Sequence, residues 1–264
     1  MLNPNVELGR IKHVLIDFDG TISVIRQGWE RVMIPLMVEM ICEDTPPTPE
    51  IEREVRKYVD YSTGILTIKQ MEWLVRAVRK YGMAKPLDPY TYKHIYNERL
   101  LKIVNERLEK LGMGELCPDD LMIEGSRMFL EGLYKRGVVM YLVSGTDHRY
   151  VLNEAQALDI IKYFRGGIFG ALDRSEAHTK EKIIKRVLYE KGLKGNELLV
   201  VGDGPVEIRK AKECEAIALG VASNEVKRRG LNPRKRKRLI DAGADLIIPD
   251  YTEHQLLLRY LFRK

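Results

Sequence analysis

Hydrophobic and polar positions follow two different rhythms along this chain. Near its start, Val14, Leu15 and Ile16 form a short, continuous apolar run within Ile11–Phe18. Such a run predicts a parallel strand buried on both faces. After Gly20-Thr21 the pattern turns helical. One helix is expected from about Trp29 to Glu43, stopping near Pro46-Pro47, and a second from Thr48-Pro49 to before Gly64. The third, Thr67–Tyr81, carries Ile68, Met71, Leu74, Val75 and Val78 at helical spacing, and a fourth runs from about Pro89 to Leu111. No strand pattern interrupts this stretch.

From Cys117 the rhythm changes again. Helices are expected over Asp119–Lys135, Asp147–Leu158, Thr179–Lys191, Pro205–Glu213 and Pro233–Ala242, with one more closing the chain. Between them fall strands over Val138–Val143, Ile168–Ala171, Leu198–Val201, Ile217–Gly220 and Asp245–Ile248. Strands alternating with helices predict a parallel sheet covered on both faces. The fold class is therefore α/β, with a core over 1–22 and 117–264 and an inserted all-helical cap over 23–116.

Composition narrows the class of molecule without naming a function. Of 264 residues, 45% are hydrophobic and 31% charged, the balance of an ordinary globular chain. A membrane span needs about 20 apolar residues; the best stretch, Val32–Cys42, is short and contains Pro35 and Glu39. Met1–Asn5 has neither a basic region nor an apolar core, so no signal peptide is expected. Cys42, Cys117 and Cys214 are scattered, which fits reduced thiols, and a cytoplasmic protein with no membrane contact is expected.

Net charge is +6, from 44 basic and 38 acidic residues. Eight of the basic residues lie in 227–238: Lys227, Arg228, Arg229, Arg234, Lys235, Arg236, Lys237 and Arg238. With these set aside, 36 basic residues face 38 acidic ones, so the basicity is local. Such a run can bind nucleic acid. No aromatic residue is interleaved in it, however, and a solvated helix start opening at Pro233, with Leu239 and Ile240 inward, is the favoured reading.

Ligands of open α/β sheets sit at the carboxyl ends of the strands, and there the chain is unusually polar. The first strand ends in Asp17-Phe18-Asp19-Gly20-Thr21 and the second in Ser144-Gly145-Thr146. Lys180 opens the helix after the third, and Gly202-Asp203-Gly204 follows the fourth. Converging carboxylates repel unless a cation sits among them, and magnesium takes one or two carboxylates together with phosphate oxygens. The glycines let backbone N–H groups approach a phosphate.

In this order the four segments resemble the motifs of the haloacid-dehalogenase superfamily of phosphohydrolases. Asp-x-Asp-Gly-Thr stands whole at Asp17–Thr21; Ser144, Lys180 and Gly202-Asp203 match the other three motifs. The helical insertion directly after the first motif is similar to that of phosphoglycolate-phosphatase-type members. The resemblance implies a Rossmann-like core and a magnesium-dependent enzyme. It makes Asp17 the nucleophile that becomes an aspartyl-phosphate and Asp19 the acid and then the base. Mg2+ would be held by Asp17, Asp203 and the Asp19 backbone carbonyl. Ser144 and Lys180, with Gly20, Thr21, Gly145 and Thr146 around them, would hold the phosphoryl oxygens.

One position departs from the pattern. Where the family usually has a second aspartate, this chain has Glu207, four residues after Asp203. Glu207 either reaches the metal through water or orients Lys180, or is an acid favoured in the first turn of a helix opening at Pro205. Arg26 and Trp29 lie where the chain enters the cap; Arg26 is a candidate for a second anionic group on the substrate, with solvation as the alternative. His148 and Arg149 follow the second motif and either face the crevice, with Arg149 a second substrate-binding candidate, or sit in the exposed first turn of a helix. The expected reaction is hydrolysis of a small phosphorylated metabolite, a sugar phosphate or phosphoglycolate. A phosphomutase of the same family, and a nucleic-acid-binding or end-processing protein using 227–238, are the alternatives.

Overall fold

A computed structural model describes residues 2–172 and 179–263. Six parallel strands form one sheet: β1 (His13–Ile16), β2 (Val139–Asp147), β3 (Gly167–Ala171), β4 (Leu198–Gly202), β5 (Ile217–Val221) and β6 (Leu246–Ile248). Their spatial order is β3-β2-β1-β4-β5-β6, a Rossmann-like arrangement. In register, Ile16 lies beside Leu142 of β2 and Val201 of β4. The chain leaves β1 in both directions, so the crevice beyond its carboxyl end is the switch point where such sheets bind ligands.

Both faces of β1 are buried, and its side chains divide between them. Val14 and Ile16 join the larger apolar cluster, and Leu15 the smaller one with Val143, Val200, Ile183 and Ile208. That explains a strand with no polar alternation. The larger cluster continues without a break into the inserted helices α1 (Glu30–Cys42), α2 (Pro49–Tyr61), α3 (Thr67–Tyr81) and α4 (Pro89–Gly112). Among the described residues between α1 and α4 there is no strand.

Local chemistry sets where these helices begin and end. At α2, Thr48 Oγ1 accepts from the Ile51 N–H at 3.3 Å and Pro49 takes the first helical position. Asp88 and Pro89 open α4 in the same way. Met71, Leu74, Val75 and Val78 bury one face of α3, and Gly82, at φ 66°, closes it in the left-handed conformation that glycine adopts without strain.

The sequence pattern over Asp119–Lys135 predicts one helix, and the structure divides it. A 3-10 turn at Pro118–Leu121 is followed by an extended segment and then α5 (Ser126–Lys135). Backbone hydrogen bonds explain the break: the Ile123 N–H donates to Ile22 O at 2.8 Å, and the Val24 N–H to Leu121 O at 2.9 Å. The two chain segments that join core and insertion are thus bonded side by side. The remaining helices are α6 (His148–Ala157), α7 (Lys180–Glu190), α8 (Pro205–Glu213), α9 (Pro233–Asp241) and α10 (His254–Leu261). Among the described residues, no helix is long and apolar enough to cross a membrane.

Candidate active site

Asp17 is the first residue beyond β1. Its N–H donates to Val201 O at 2.9 Å, which holds the turn against β4 and leaves the carboxylate buried at the sheet's edge. Lys180 Nζ lies 2.7 Å from Asp17 Oδ1 and 3.1 Å from Glu207 Oε2. The Gly204 N–H donates to Glu207 Oε1 at 2.8 Å. Glu207 therefore satisfies the start of α8 and also pairs with the site lysine.

Asp17, Asp203 and Glu207 each offer a carboxylate oxygen within 4.8 Å of the other two. Burial pushes the Asp17 carboxyl well above the usual carboxylate range; Lys180 opposes this, and Glu207 and Asp203 add to it. Burial alone would lower Lys180, but Asp17 and then Glu207 outweigh it and hold the ammonium protonated. A hard divalent cation fits this donor set, because it would relieve the carboxylate repulsion that the neighbouring lysines do not fully cancel.

Asp19 stands opposite, on the same loop. Its Oδ2 accepts from Ser144 Oγ and Thr146 Oγ1, both at 3.0 Å, while the buried Oδ1 has no hydrogen-bond partner among the described residues. Gly20, at φ 73°, makes the turn behind it; a Cβ there would overlap Asp203 Oδ2. Thr21 donates to Asp17 Oδ2 at 3.3 Å, so it steadies the carboxylate rather than lining the cavity.

The insertion roofs this crevice. Asp17, Asp19, Ser144, Gly145, Thr146, Lys180 and Asp203 line one cavity of about 80 Å3 with Thr63, Gly64, Ile65, Thr67, Gln70, Tyr96 and Asn97 of the insertion. The contact between the two layers is close at two glycines. A side chain at Gly145 would overlap Ile65 O, and one at Gly64, itself at φ 94°, would overlap Glu207 Oε2.

A family model for haloacid dehalogenase-like hydrolases matches residues 11–214. The chain belongs to that family. This hydrolase also superposes on solved structures of similar build. One is a protein named for β-phosphoglucomutase from Bacteroides vulgatus, with a TM-score of 0.65, 18% identity, and coverage of 98% of this chain and 93% of that one. Another is a predicted phosphoglycolate phosphatase from Haemophilus somnus, at TM-score 0.61, 16% identity and coverage of 94% and 98%. A third is a phosphonoacetaldehyde-hydrolase-like protein from Oleispira antarctica, at TM-score 0.62, 15% identity and coverage of 100% and 98%. Identities this low establish the shared fold alone. A search of curated proteins finds no match to the chain.

The four motifs of this hydrolase meet as the sequence predicts, but several flanking residues behave differently. Arg26 lines the cavity without being solvated: it is 5% exposed and pairs with Glu154 through Nη2 at 2.6 Å and Nε at 3.0 Å. Its charge is therefore already balanced, and Asp19 Oδ1 lies 3.9 Å away. Arg149 does not reach the crevice. It is exposed on α6 and donates to Tyr150 OH, because the first turn of that helix runs along the surface. Neither His148 nor Arg149 lines the cavity, whereas Trp29 lines it while packing against the apolar core.

The basic run is the largest correction. A solvated helix start describes the exposed Arg234, Arg236 and Lys237, but not Lys235 or Arg238, and Arg234 is paired as well as exposed. Arg234 and Arg238 both pair with Asp60 at the end of α2, Arg238 at 3.3 Å. Lys235 is buried, with Nζ 2.6 Å from Asp203 Oδ2 and 2.6 Å from Glu225 Oε1. The sequence held one signal for it: Lys235 lies four residues before Leu239, on the same buried helix face. Glu154, Glu225 and the insertion's polar wall carried no local signal at all.

Proposed function

We propose that this hydrolase is a magnesium-dependent phosphatase of small phosphate monoesters. The observation that carries the reading is the face-to-face arrangement of Asp17, bound to Lys180, and Asp19, held by Ser144 and Thr146, in one roofed cavity. Asp17 would attack phosphorus while Asp19, through Oδ1, gives its proton to the departing oxygen. Asp19 would then take a proton from the water that releases phosphate from Asp17. Lys180 and the Ser144 and Thr146 hydroxyls would hold the phosphoryl oxygens as charge redistributes. Magnesium, held by Asp17, Asp203 and the Asp19 carbonyl with Glu207 close by, would offset the repulsion between carboxylate and phosphate.

The insertion would supply substrate choice and exclude bulk water. Its cavity wall favours a neutral, hydroxyl-bearing leaving group. Thr63, Thr67, Gln70 and Asn97 offer uncharged donors and acceptors there. The neighbouring cations are matched: Arg26 by Glu154, and Lys93 by Asp147. A sugar phosphate fits that wall better than phosphoglycolate, whose carboxylate would find no unmatched cation among the described residues of the wall.

The test is a panel of phosphorylated metabolites assayed with and without magnesium. Expected are magnesium-dependent phosphate release, kcat/KM at least tenfold higher for a sugar phosphate than for phosphoglycolate, and no need for a bisphosphate primer. Failure to hydrolyse any monoester in the presence of magnesium contradicts the reading. Strict dependence on a bisphosphate primer would mark a phosphomutase instead.

A further inference from the structure

Lys235 is a buried cation that the proposed chemistry does not use. The start of α9 is built to place it. Asn232 Oδ1 accepts from the N–H groups of Arg234 and Lys235, at 3.0 and 3.2 Å, and Pro233 pre-sets the first turn. Leu239, one turn further on, is fully buried, and Arg238 anchors the same helix to Asp60. Held in this way, the lysine reaches under the crevice. Its Nζ bridges Asp203 Oδ2 and Glu225 Oε1, 2.6 Å from each.

We propose that Lys235 is a positioning residue for Asp203, setting how that carboxylate is presented to the divalent cation. The inference rests on the magnesium reading above. A carboxylate ligand that rotates freely loses entropy when it coordinates, and one held through its second oxygen does not. Groups that hold ligating side chains in this way contribute about 10–100-fold to metal affinity. With Oδ2 engaged by Lys235, the other oxygen is the one that Asp203 has to offer. Glu225 fixes the lysine from the far side. The surroundings leave little room for Asp203 to turn, since Gly20 is packed against its Oδ2 and Ser223 Oγ donates to Gly20 O at 3.0 Å.

Charge balance points the same way. Among the described residues, Asp17, Asp203, Glu207 and Glu225 face Lys180 and Lys235; with all four carboxylates ionised two negative charges are left over, which one divalent cation would neutralise. The double variant Lys235→Met/Glu225→Gln removes one charge of each sign and leaves this surplus unchanged. Because the cation removed is the one in contact with Asp203, electrostatics alone would strengthen metal binding in this variant, so a loss of affinity reports on positioning.

The experiment is calorimetric titration of the metal-free protein with magnesium chloride, wild type against the double variant. A tenfold or greater rise in Kd, with circular dichroism of the metal-free forms superimposable, is the expected result. A smaller change in the folded variant overturns the proposal. If the variant does not fold, a crystal structure of the magnesium-loaded wild type decides: Lys235 Nζ within hydrogen-bond distance of Asp203 upholds the proposal, and Lys235 displaced from it overturns it. A wild type that binds no magnesium in the same titration would instead contradict the phosphatase reading itself.

Discussion

Arg26 and Glu154 show how a charge pair can shape a site without touching the reaction. Glu154 is 1% exposed, and burial raises its carboxyl to about 7 against an ordinary 4.5, with Arg26 opposing and Asp19 adding to the rise. A carboxyl whose pKa is higher in the folded state takes up a proton on folding at pH values between the two. Its contribution to stability is therefore greatest below about 4.5 and falls as pH rises through about 7. Glu154→Gln cannot titrate and leaves Arg26 without its counter-charge. Thermal denaturation should show the variant's stability falling less between pH 4.5 and 7 than that of the wild type. Parallel profiles over that range would mean that Glu154 stays ionised in the fold. Neither residue's partner was legible in the sequence, because 128 positions separate them and nothing local marks the pair.

At the scale of elements, α9 does more than cover the sheet. One helical turn carries Arg234 and Arg238, both on Asp60 of α2, with Lys235 on Asp203 between them. The same turn thus touches the insertion and the crevice. Arg238 Nη1 also donates to Thr63 Oγ1 at 3.3 Å, and Thr63 lines the cavity. Loosening this contact should disturb how the insertion closes more than the chemistry beneath it. Asp60→Asn is expected to raise KM for a small phosphate ester severalfold and change kcat by less than twofold. Its melting temperature should fall by no more than a few degrees, because these are partly exposed pairs. Steady-state kinetics check this, and an unchanged KM would remove α9 from cap closure.

Most elements were legible because their signals are local. Thr67–Tyr81 is a helix over the span its apolar spacing predicts, and Pro205–Glu213 likewise. Where the reading failed, long-range contact had decided the outcome. The helix expected from Asp119 breaks because Ile123 bonds to Ile22, and Gly125 sits where any side chain would overlap the Tyr251 carbonyl. The basic run looked solvated because a sequence shows charge but not the partners, 174 residues away, that absorb it.

Taken as a whole molecule, the sheet places Asp17, Ser144 and Asp203 at the ends of adjacent strands. The insertion, returning through bonded linkers, closes over them. That architecture explains why the residues that meet at the crevice are spread from Asp17 to Asp203. It also explains why the motifs at strand ends could be read in advance while the roof could not. Strand ends are fixed by the topology of the sheet, but which insertion residues face the crevice depends on how four helices pack.

The central claim is that Asp17 carries the phosphoryl group and Asp19 moves the protons. Asp19→Asn separates the two. A nitrophenyl ester leaves as a stable anion, so its transfer to Asp17 needs no acid, whereas release from Asp17 needs a base that asparagine cannot supply. Rapid mixing of Asp19→Asn with nitrophenyl phosphate and magnesium should give a burst approaching one nitrophenol per site, followed by slow turnover, with phosphate retained on Asp17. If the variant binds magnesium normally but shows no burst, and nitrophenyl and sugar phosphates slow alike, the account is contradicted.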